Sequence, residues 1–149
     1  MKPVKTWILI GNGNQARIFR NMGPGKGVEL VEGIQLNTTT PPDRDLVSDR
    51  PGRTFDSHGQ GRHAMEPKNT AHRLSKKKFA LEVIDLLQTR LAKREFDRLL
   101  VVAPPEMLGD LRDNYSPQIL KCLIGEVDKD LTAMPTEKIP QQIGDFIAA

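Results

Sequence analysis

The sequence predicts one α/β domain of the RNase H-like class, with helices packed on a mixed sheet. The chain has 149 residues, enough for one substantial core. Three extended apolar segments come first, and helical and strand patterns then alternate. A meander followed by β/α units gives the element order β-β-β-α-β-α(α)-β-α, with a long loop between the third strand and the first long helix.

The first 36 residues are predicted to form three strands joined by glycine-rich turns. Residues 6–10 (TWILI) form a short apolar run, typical of a central strand buried on both faces. The turn signal GNG follows, and residues 16–20 are predicted as the second strand. Residues 28–36 alternate apolar and polar side chains except at Glu32, and Gly33 beside it predicts a bulge.

Residues 37–72 show neither helical nor strand periodicity, and Pro, Gly, Asp, Arg and Ser dominate them. A run of this length without a pattern, inside a compact domain, is usually functional or disordered. We therefore predict a disordered basic loop over residues 37–72, within a single domain of residues 1–149.

The second half of the chain is predicted to alternate helices and strands. Apolar residues at helical spacing indicate a helix over residues 73–94, and residues 99–103 (LLVVA) are a second buried strand. Pro104 and Pro105 end this strand and begin a short helix.

The C-terminal region is predicted to contain two more helices and a strand. Ser116 as N-cap and Pro117 as first residue open a helix with Leu123 on its apolar face. Residues 127–131 are predicted as a weak strand, and Thr136 as the cap of the last helix. The apolar face of that helix consists of Ile139, Ile143, Phe146 and Ile147.

Positive charge is concentrated in the middle of the chain. Residues 41–78 hold nine Lys and Arg against five Asp and Glu, a net charge of +4, whereas the rest holds thirteen against fourteen, a net charge of −1. This asymmetry indicates contact with a polyanion, although a solvated loop whose acids dilute the charge is the alternative. The segment has no aromatic stacking platform, so sequence readout of single strands is not expected.

We expect the cations of this segment to contact phosphate. The three lysines at 76–78 are predicted to lie where the long helix begins, and free backbone N–H groups at a helix start attract phosphate. Arginine adds bidentate contacts. The predicted binding residues are Arg44, Arg50, Arg53, Arg62, His63, Lys76, Lys77 and Lys78.

A dinucleotide site, a nuclease metal site and a zinc site are not predicted. GNGNQA matches a dinucleotide-binding fingerprint, but the turn GPG at residues 23–25 comes too soon for a helix, so a hairpin turn is predicted. The strand TWILI lacks the carboxylates of a metal-dependent nuclease. Loop side chains that could bind zinc are expected to be solvated instead: Asp56, His58, His63 and His72.

Cofactors and a membrane are not expected either. Cys122 is predicted to be an inert buried thiol. The start MKPVKTWILIG has too short an apolar run for a signal segment or membrane span, so a cytoplasmic location is expected. The oligomeric state stays open.

Four stretches together resemble the bacterial host attachment family, the proteins described as required for attachment to host cells. They are RDLVSDRPGR (44–53), SHGQGRHAMEP (57–67), LLVVAPPEMLGDLR (99–112) and KDLTAMP (129–135). The resemblance covers essentially the whole chain.

The family is similar, more distantly, to the middle domain of eukaryotic and archaeal peptide-chain release factors and of Pelota. That domain has an RNase H-like sheet and a Gly-Gly-Gln loop that leads into a long helix and helps water attack peptidyl-tRNA. Here the order is Gly59-Gln60-Gly61, which departs from that motif. The resemblance implies that these three residues form the loop tip, and it implies contact with RNA or the ribosome.

Three hypotheses follow. The first is a non-enzymatic cytoplasmic protein that contacts RNA or the ribosome through the segment 44–78. The second is a protein-interaction module that binds an acidic partner and acts indirectly in host attachment. The third is a release-factor-like ester hydrolase in which Gln60, the sole catalytic candidate, orients water.

Overall fold

The computed structural model of the protein describes residues 4–37 and 61–147, with Gln35 and residues 61–69 described in their backbone alone. The predictions for Arg44, Arg50, Arg53, Gly59 and Gln60 therefore lie outside the described residues. So does the predicted loop between residues 38 and 60, which stays a prediction.

The described residues form one mixed five-stranded sheet. Its strands are β1 (Thr6–Gly11), β2 (Gln15–Asn21), β3 (Val28–Asn37), β4 (Arg98–Ala103) and β5 (Leu123–Asp128). Their spatial order is β3-β2-β1-β4-β5. The pairs β1–β2 and β2–β3 are antiparallel, whereas β1–β4 and β4–β5 are parallel. The predicted mixed sheet is confirmed, and its first four strands agree with the prediction to within one residue at each end.

In residues 4–37 and 61–147, four α-helices connect or follow the strands. They are α1 (Gly61–Ala92), α2 (Pro105–Arg112), α3 (Pro117–Cys122) and α4 (Ile139–Ile143), the last preceded by a 3-10 turn at Thr136–Lys138. The predicted element order is confirmed. None of the helices in these described parts of the chain is long and apolar enough to span a membrane.

The sheet buries both of its faces, which explains why TWILI is apolar throughout. Alternate residues of a strand point to opposite faces. Trp7 and Leu9 pack with α1, α2 and α3 on one face, whereas Ile8 and Ile10 pack with the C-terminal segment on the other. β1 is therefore the central strand that its composition predicts.

The first hairpin confirms the predicted turn and excludes the dinucleotide fingerprint. The backbone N–H of Asn12 donates to the carbonyl of Gln15 at 2.9 Å, and Asn12 Oδ1 accepts from the N–H groups of Asn14 and Gln15. GNGNQA therefore opens a second strand, not a helix. In β3, Gly33 has a φ of +83° where the β2–β3 register shifts, which confirms the bulge.

The long helix begins twelve residues earlier than predicted, at Gly61 in place of Arg73. The sequence predicts residues 61–72 as loop because they carry no periodic apolar face, and periodicity detects only a buried face. Lys76 consequently lies fifteen residues inside the helix, not at its start. The free N–H groups of the helix N-terminus adjoin Gly61 and are remote from the lysines.

Two predictions for the C-terminal region are wrong. The strand occupies Leu123–Asp128, not residues 127–131, because a short apolar run fits both a helix end and a strand. Leu123 therefore belongs to the strand. Thr136 does not cap the last helix, since it lies inside a 3-10 turn and the α-helix begins at Ile139 beside a proline. Ser116 is an N-cap as predicted, and its Oγ accepts from the N–H of Ile119 at 3.1 Å.

Candidate functional site

The carboxyl ends of the three parallel strands meet at one edge of the sheet, where open α/β sheets usually bind ligands. β1 ends there at the Asn12 turn, β4 at the start of α2, and β5 before Asp130. Helix α1 passes this edge: a Cβ at Gly13 would lie 2.8 Å from Cδ of Lys76. Glycine at position 13 thus lets the helix come close to the first hairpin.

Two carboxylates of α2 hold α1 at this edge. Arg73 donates from Nη1 to Oδ2 of Asp110 at 2.8 Å and from Nη2 to Oδ1 at 2.5 Å. The side chain of Asp110 is only 5% exposed, so this bidentate pair is largely withdrawn from water on the carboxylate side. The hydrogen bonds to Asp110 raise the pKa of Arg73 above its ordinary value, which keeps the guanidinium charged.

Glu106 contributes a second pair of contacts. Its Oε1 lies 3.3 Å from Nζ of Lys76, and its Oε2 lies 3.5 Å from Nε of Arg73. An open cavity of about 450 Å³ lies beside these groups, with Thr70 and His72 completing its lining. The ion pairs offset Arg73 and Lys76 with Glu106 and Asp110, so this cavity gains little net charge from them.

Of the predicted phosphate contacts whose side chains the structure describes, Lys77 and Lys78 remain available. Both side chains are exposed, and among the described residues neither forms an ion pair. Gly61 is the first residue of α1, and Arg62 and His63 follow in its first turn. The side chains of Arg62 and His63 lie outside the described residues, so their roles stay predictions.

The sequence reasoning missed the pairing of α1 with α2. A signal was available, because Arg73 and Lys76 are three apart and Glu106 and Asp110 are four apart, the spacings that place side chains on one helix face. The α2 carboxylates lie within the stretch LLVVAPPEMLGDLR, where the apolar residues and the two prolines gave the prediction of a strand and a helix.

A second polar cluster fixes the same edge from the other side. Asn12 Nδ2 donates to Thr132 Oγ1 at 3.2 Å and to Asp130 Oδ2 at 3.4 Å. The N–H and hydroxyl of Thr132 both donate to Oδ1 of Asp130, at 3.0 and 2.5 Å, and Arg17 donates to the carbonyl of Thr132. The hydrogen bonds that Asp130 accepts hold its pKa below the ordinary value of 3.8. The bond from the Thr132 hydroxyl has the largest effect, followed by those from the Thr132 N–H and from Asn12. The cluster ties the first hairpin to the segment that follows β5.

Cys122 is buried, as predicted, and burial raises the pKa of its thiol. A raised pKa leaves less thiolate, and the thiolate is the reactive form. Within residues 4–37 and 61–147, no three His, Cys, Asp or Glu side chains are grouped so that they could hold a metal ion.

The family described as "Protein required for attachment to host cells" matches residues 7–143. The chain belongs to this family. The predicted family membership is thereby confirmed over nearly the whole host attachment domain. Among curated proteins, none matches the chain.

Two solved structures are similar to the host attachment chain. One is an archaeal translation termination factor, with 15% sequence identity, a TM-score of 0.47, and coverage of 93% of this chain and 33% of that chain. The other is called an archaeal protein, with 15% identity, a TM-score of 0.42, and coverage of 95% of this chain and 36% of that chain. The chain thus spans about a third of the length of each.

Proposed function

We propose that this member of the host attachment family is a non-enzymatic protein that contacts RNA or the ribosome through its basic segment, residues 44–78. The observation that carries the proposal is the charge distribution, +4 over residues 41–78 and −1 over all the others. A body near neutrality with one basic segment attracts polyanions to that segment. Contact with the ribosome would place the protein in the cytoplasm.

The described part of the segment supports this role through its geometry. Helix α1 has 32 residues, which at 1.5 Å per residue is about 48 Å. Lys77 and Lys78 are exposed on a helix, so their backbone is already ordered before they meet a phosphate. Gly61 begins this helix, and its first N–H groups, next to Arg62, have the orientation and partial charge that suit a phosphate.

The ion pairs at the sheet edge refine the list of contacts. Lys76 neighbours Glu106, so we assign it a smaller share of the binding than Lys77 and Lys78. Arg73 is assigned to positioning, because Asp110 occupies two of its donors. The proposed contacts are Arg44, Arg50, Arg53, Arg62, His63, Lys77 and Lys78, with Lys76 as a lesser contact and Gly59, Gln60 and Gly61 as the tip.

The test is the salt dependence of binding to ribosomal RNA. Fluorescence anisotropy with a labelled single-stranded fragment is measured at 50 and 200 mM KCl, and about six phosphate contacts, one for each proposed Arg and Lys, predict an affinity loss on the order of 300-fold. Co-sedimentation with intact ribosomes is measured at the same two salt concentrations. Binding that does not depend on salt, or no binding to either, would contradict the proposal.

A matched pair of double variants assigns the binding to particular lysines. Lys77→Gln with Lys78→Gln should weaken binding and reduce the salt slope by about 1.4, because two lysines no longer neutralise phosphates. Lys93→Gln with Lys121→Gln removes two exposed lysines outside the segment and should change neither the affinity nor the slope. Equal reductions in both double variants would show that binding follows net charge alone.

The hydrolase hypothesis stays a prediction, since Gln60 lies outside the described residues. Its test is turnover of peptidyl-tRNA by the Gln60→Ala variant. An unchanged rate would remove Gln60 from any catalytic role.

A further inference from the structure

The outward face of α1 carries two exposed leucines. Leu74 and Leu81 are 59% and 45% exposed, and they are seven residues apart, a spacing that places both on one side of a helix. The opposite side of the same stretch is buried in the core through Phe79, Val83 and Leu87. The face with the leucines therefore points away from the body of the domain, where another molecule can reach it.

Charges of opposite sign lie on either side of Leu81 along this face. Lys78 comes three residues before it and Asp85 four residues after it, and both are exposed. Among the described residues, neither of these two side chains forms an ion pair. At about 100° per residue, Lys78 and Asp85 are turned about 60° and 40° from Leu81 in the same direction. They therefore lie along one flank of the helix, about equally far from Leu81.

This arrangement makes the face complementary to itself about a two-fold axis beside Leu81. An axis perpendicular to the helix sets two copies of α1 antiparallel, reverses positions along the helix, and keeps each flank against the same flank of the other copy. Lys78 of each copy then faces Asp85 of the other, and the two Leu81 side chains meet at the axis. Antiparallel helices also place the positive end of each macrodipole beside the negative end of the other. A second copy of the chain thus supplies both the charge and the apolar surface that the face would match.

We propose that two copies of the chain associate through this face, as an antiparallel pair of α1 helices with Leu81 at the centre and two ion pairs between Lys78 and Asp85. Contact over residues 74–92 extends about 27 Å and buries less than the roughly 1,200 Å² of a stable interface. The dimer is therefore weak, with a dissociation constant on the order of 100 µM. It covers Lys78, so RNA and a second copy compete for this lysine, a consequence that alone rests on the proposed function.

Sedimentation equilibrium of the full chain, without RNA and over about 10 to 500 µM, measures the association. Lys78→Glu places carboxylates opposite each other in the pair, and Asp85→Lys places ammonium groups opposite each other. Each variant alone should therefore weaken self-association at least about tenfold. An equimolar mixture of the two variants should restore the dimer, because each changed side chain then meets the opposite charge on the other copy.

Matched controls separate this face from the rest of the surface. Lys93→Glu makes the same change of charge at an exposed lysine beyond the end of α1, and it should leave the association unchanged. Leu81→Ser should weaken the dimer about tenfold, the effect of removing a central anchor, whereas Leu120→Ser, at a leucine 55% exposed on α3, should not weaken it. A dimer restored in the mixture also shows that both charge variants are folded.

Three results would overturn the proposal. The first is a chain that stays monomeric over the whole concentration range. The second is equal weakening by Lys93→Glu and Lys78→Glu, which would show that association follows net charge alone. The third is a dimer that Lys78→Glu leaves intact, or a mixture that stays monomeric, since either would place the contact elsewhere. None of these results involves RNA, so the dimer and the RNA contact can each fail without the other.

Discussion

The two halves of helix α1 are held to the protein by different forces. Residues 79–92 face the core, and Phe79, Val83 and Leu87 are fully buried there. Residues 70–78 bury no large apolar side chain and are attached through Arg73 and Lys76 to the carboxylates of α2. One half therefore provides stability, and the other provides a position for charged side chains.

The free energies that these two kinds of contact contribute differ accordingly. Burying one large apolar side chain contributes about 1.5–3 kcal/mol, whereas an exposed ion pair contributes at most about 1 kcal/mol. The pair between Arg73 and Asp110 lies between these limits, because only its carboxylate is buried. A polar half held this weakly can exchange its ion pairs for a ligand without unfolding the domain.

The largest effect is expected in the core half. Leu87→Ala should lower the free energy of unfolding by about 2–5 kcal/mol, because Leu87 is fully buried and its truncation leaves a cavity. Leu74→Ala, at a position 59% exposed in the polar half, should change it by less than about 0.5 kcal/mol. Urea denaturation measures both values. Similar decreases for both variants would remove the distinction between the halves.

An intermediate, local effect is expected from Asp110→Asn. The change removes the carboxylate charge that pairs with Arg73. We expect the free energy of unfolding to fall by about 1–2 kcal/mol. This is less than for a fully buried pair, because the Arg73 side chain is partly exposed. Hydrogen exchange should accelerate at residues 70–78 and stay unchanged at residues 79–92. Uniform acceleration along the helix would show that Asp110 supports the fold as a whole.

A smaller effect, and an increase where the previous variants cause a loss, is expected in the affinity for RNA. Glu106→Gln removes the carboxylate that offsets Lys76 and Arg73, so affinity for ribosomal RNA should rise about two- to threefold at low salt, and the rise should shrink at high salt. The isosteric change keeps the side chain in place. Unchanged or lower affinity would mean that RNA does not approach this edge.

The smallest effect concerns pH and the second polar cluster. The pKa of Asp130 is lowered in the folded protein, so its stabilisation is present above the ordinary value of 3.8 and is lost as pH falls through the folded value. Asp130→Asn should cost on the order of 0.5 kcal/mol at neutral pH, because the group is exposed. The difference from the wild type should shrink as pH falls below 3.8 and vanish once Asp130 is protonated in the folded protein. Thermal denaturation across this range measures it, and a constant difference would contradict the charge-based account.

The sequence predicted the core-facing elements well and the polar ones poorly. β1, β4 and the apolar half of α1 bury their side chains, and burial produces the periodic patterns that sequence reasoning detects. The first twelve residues of α1 have no such pattern, so the sequence assigns them to the loop. The pairs of Arg73 and Lys76 with α2 join positions at least 30 residues apart, and only the β4 crossover brings them together. Of the predicted site, Lys77 and Lys78 are found exposed on the helix, whereas Lys76 is paired with Glu106.

The most direct test is hydrogen exchange along α1 with and without ribosomal RNA at low salt. The proposal predicts added protection at residues 61–78, no change at residues 79–92, and disappearance of the added protection at about 200 mM KCl. Protection that spreads over the core half, occurs only away from the segment 44–78, or persists at high salt would contradict RNA contact through the basic segment.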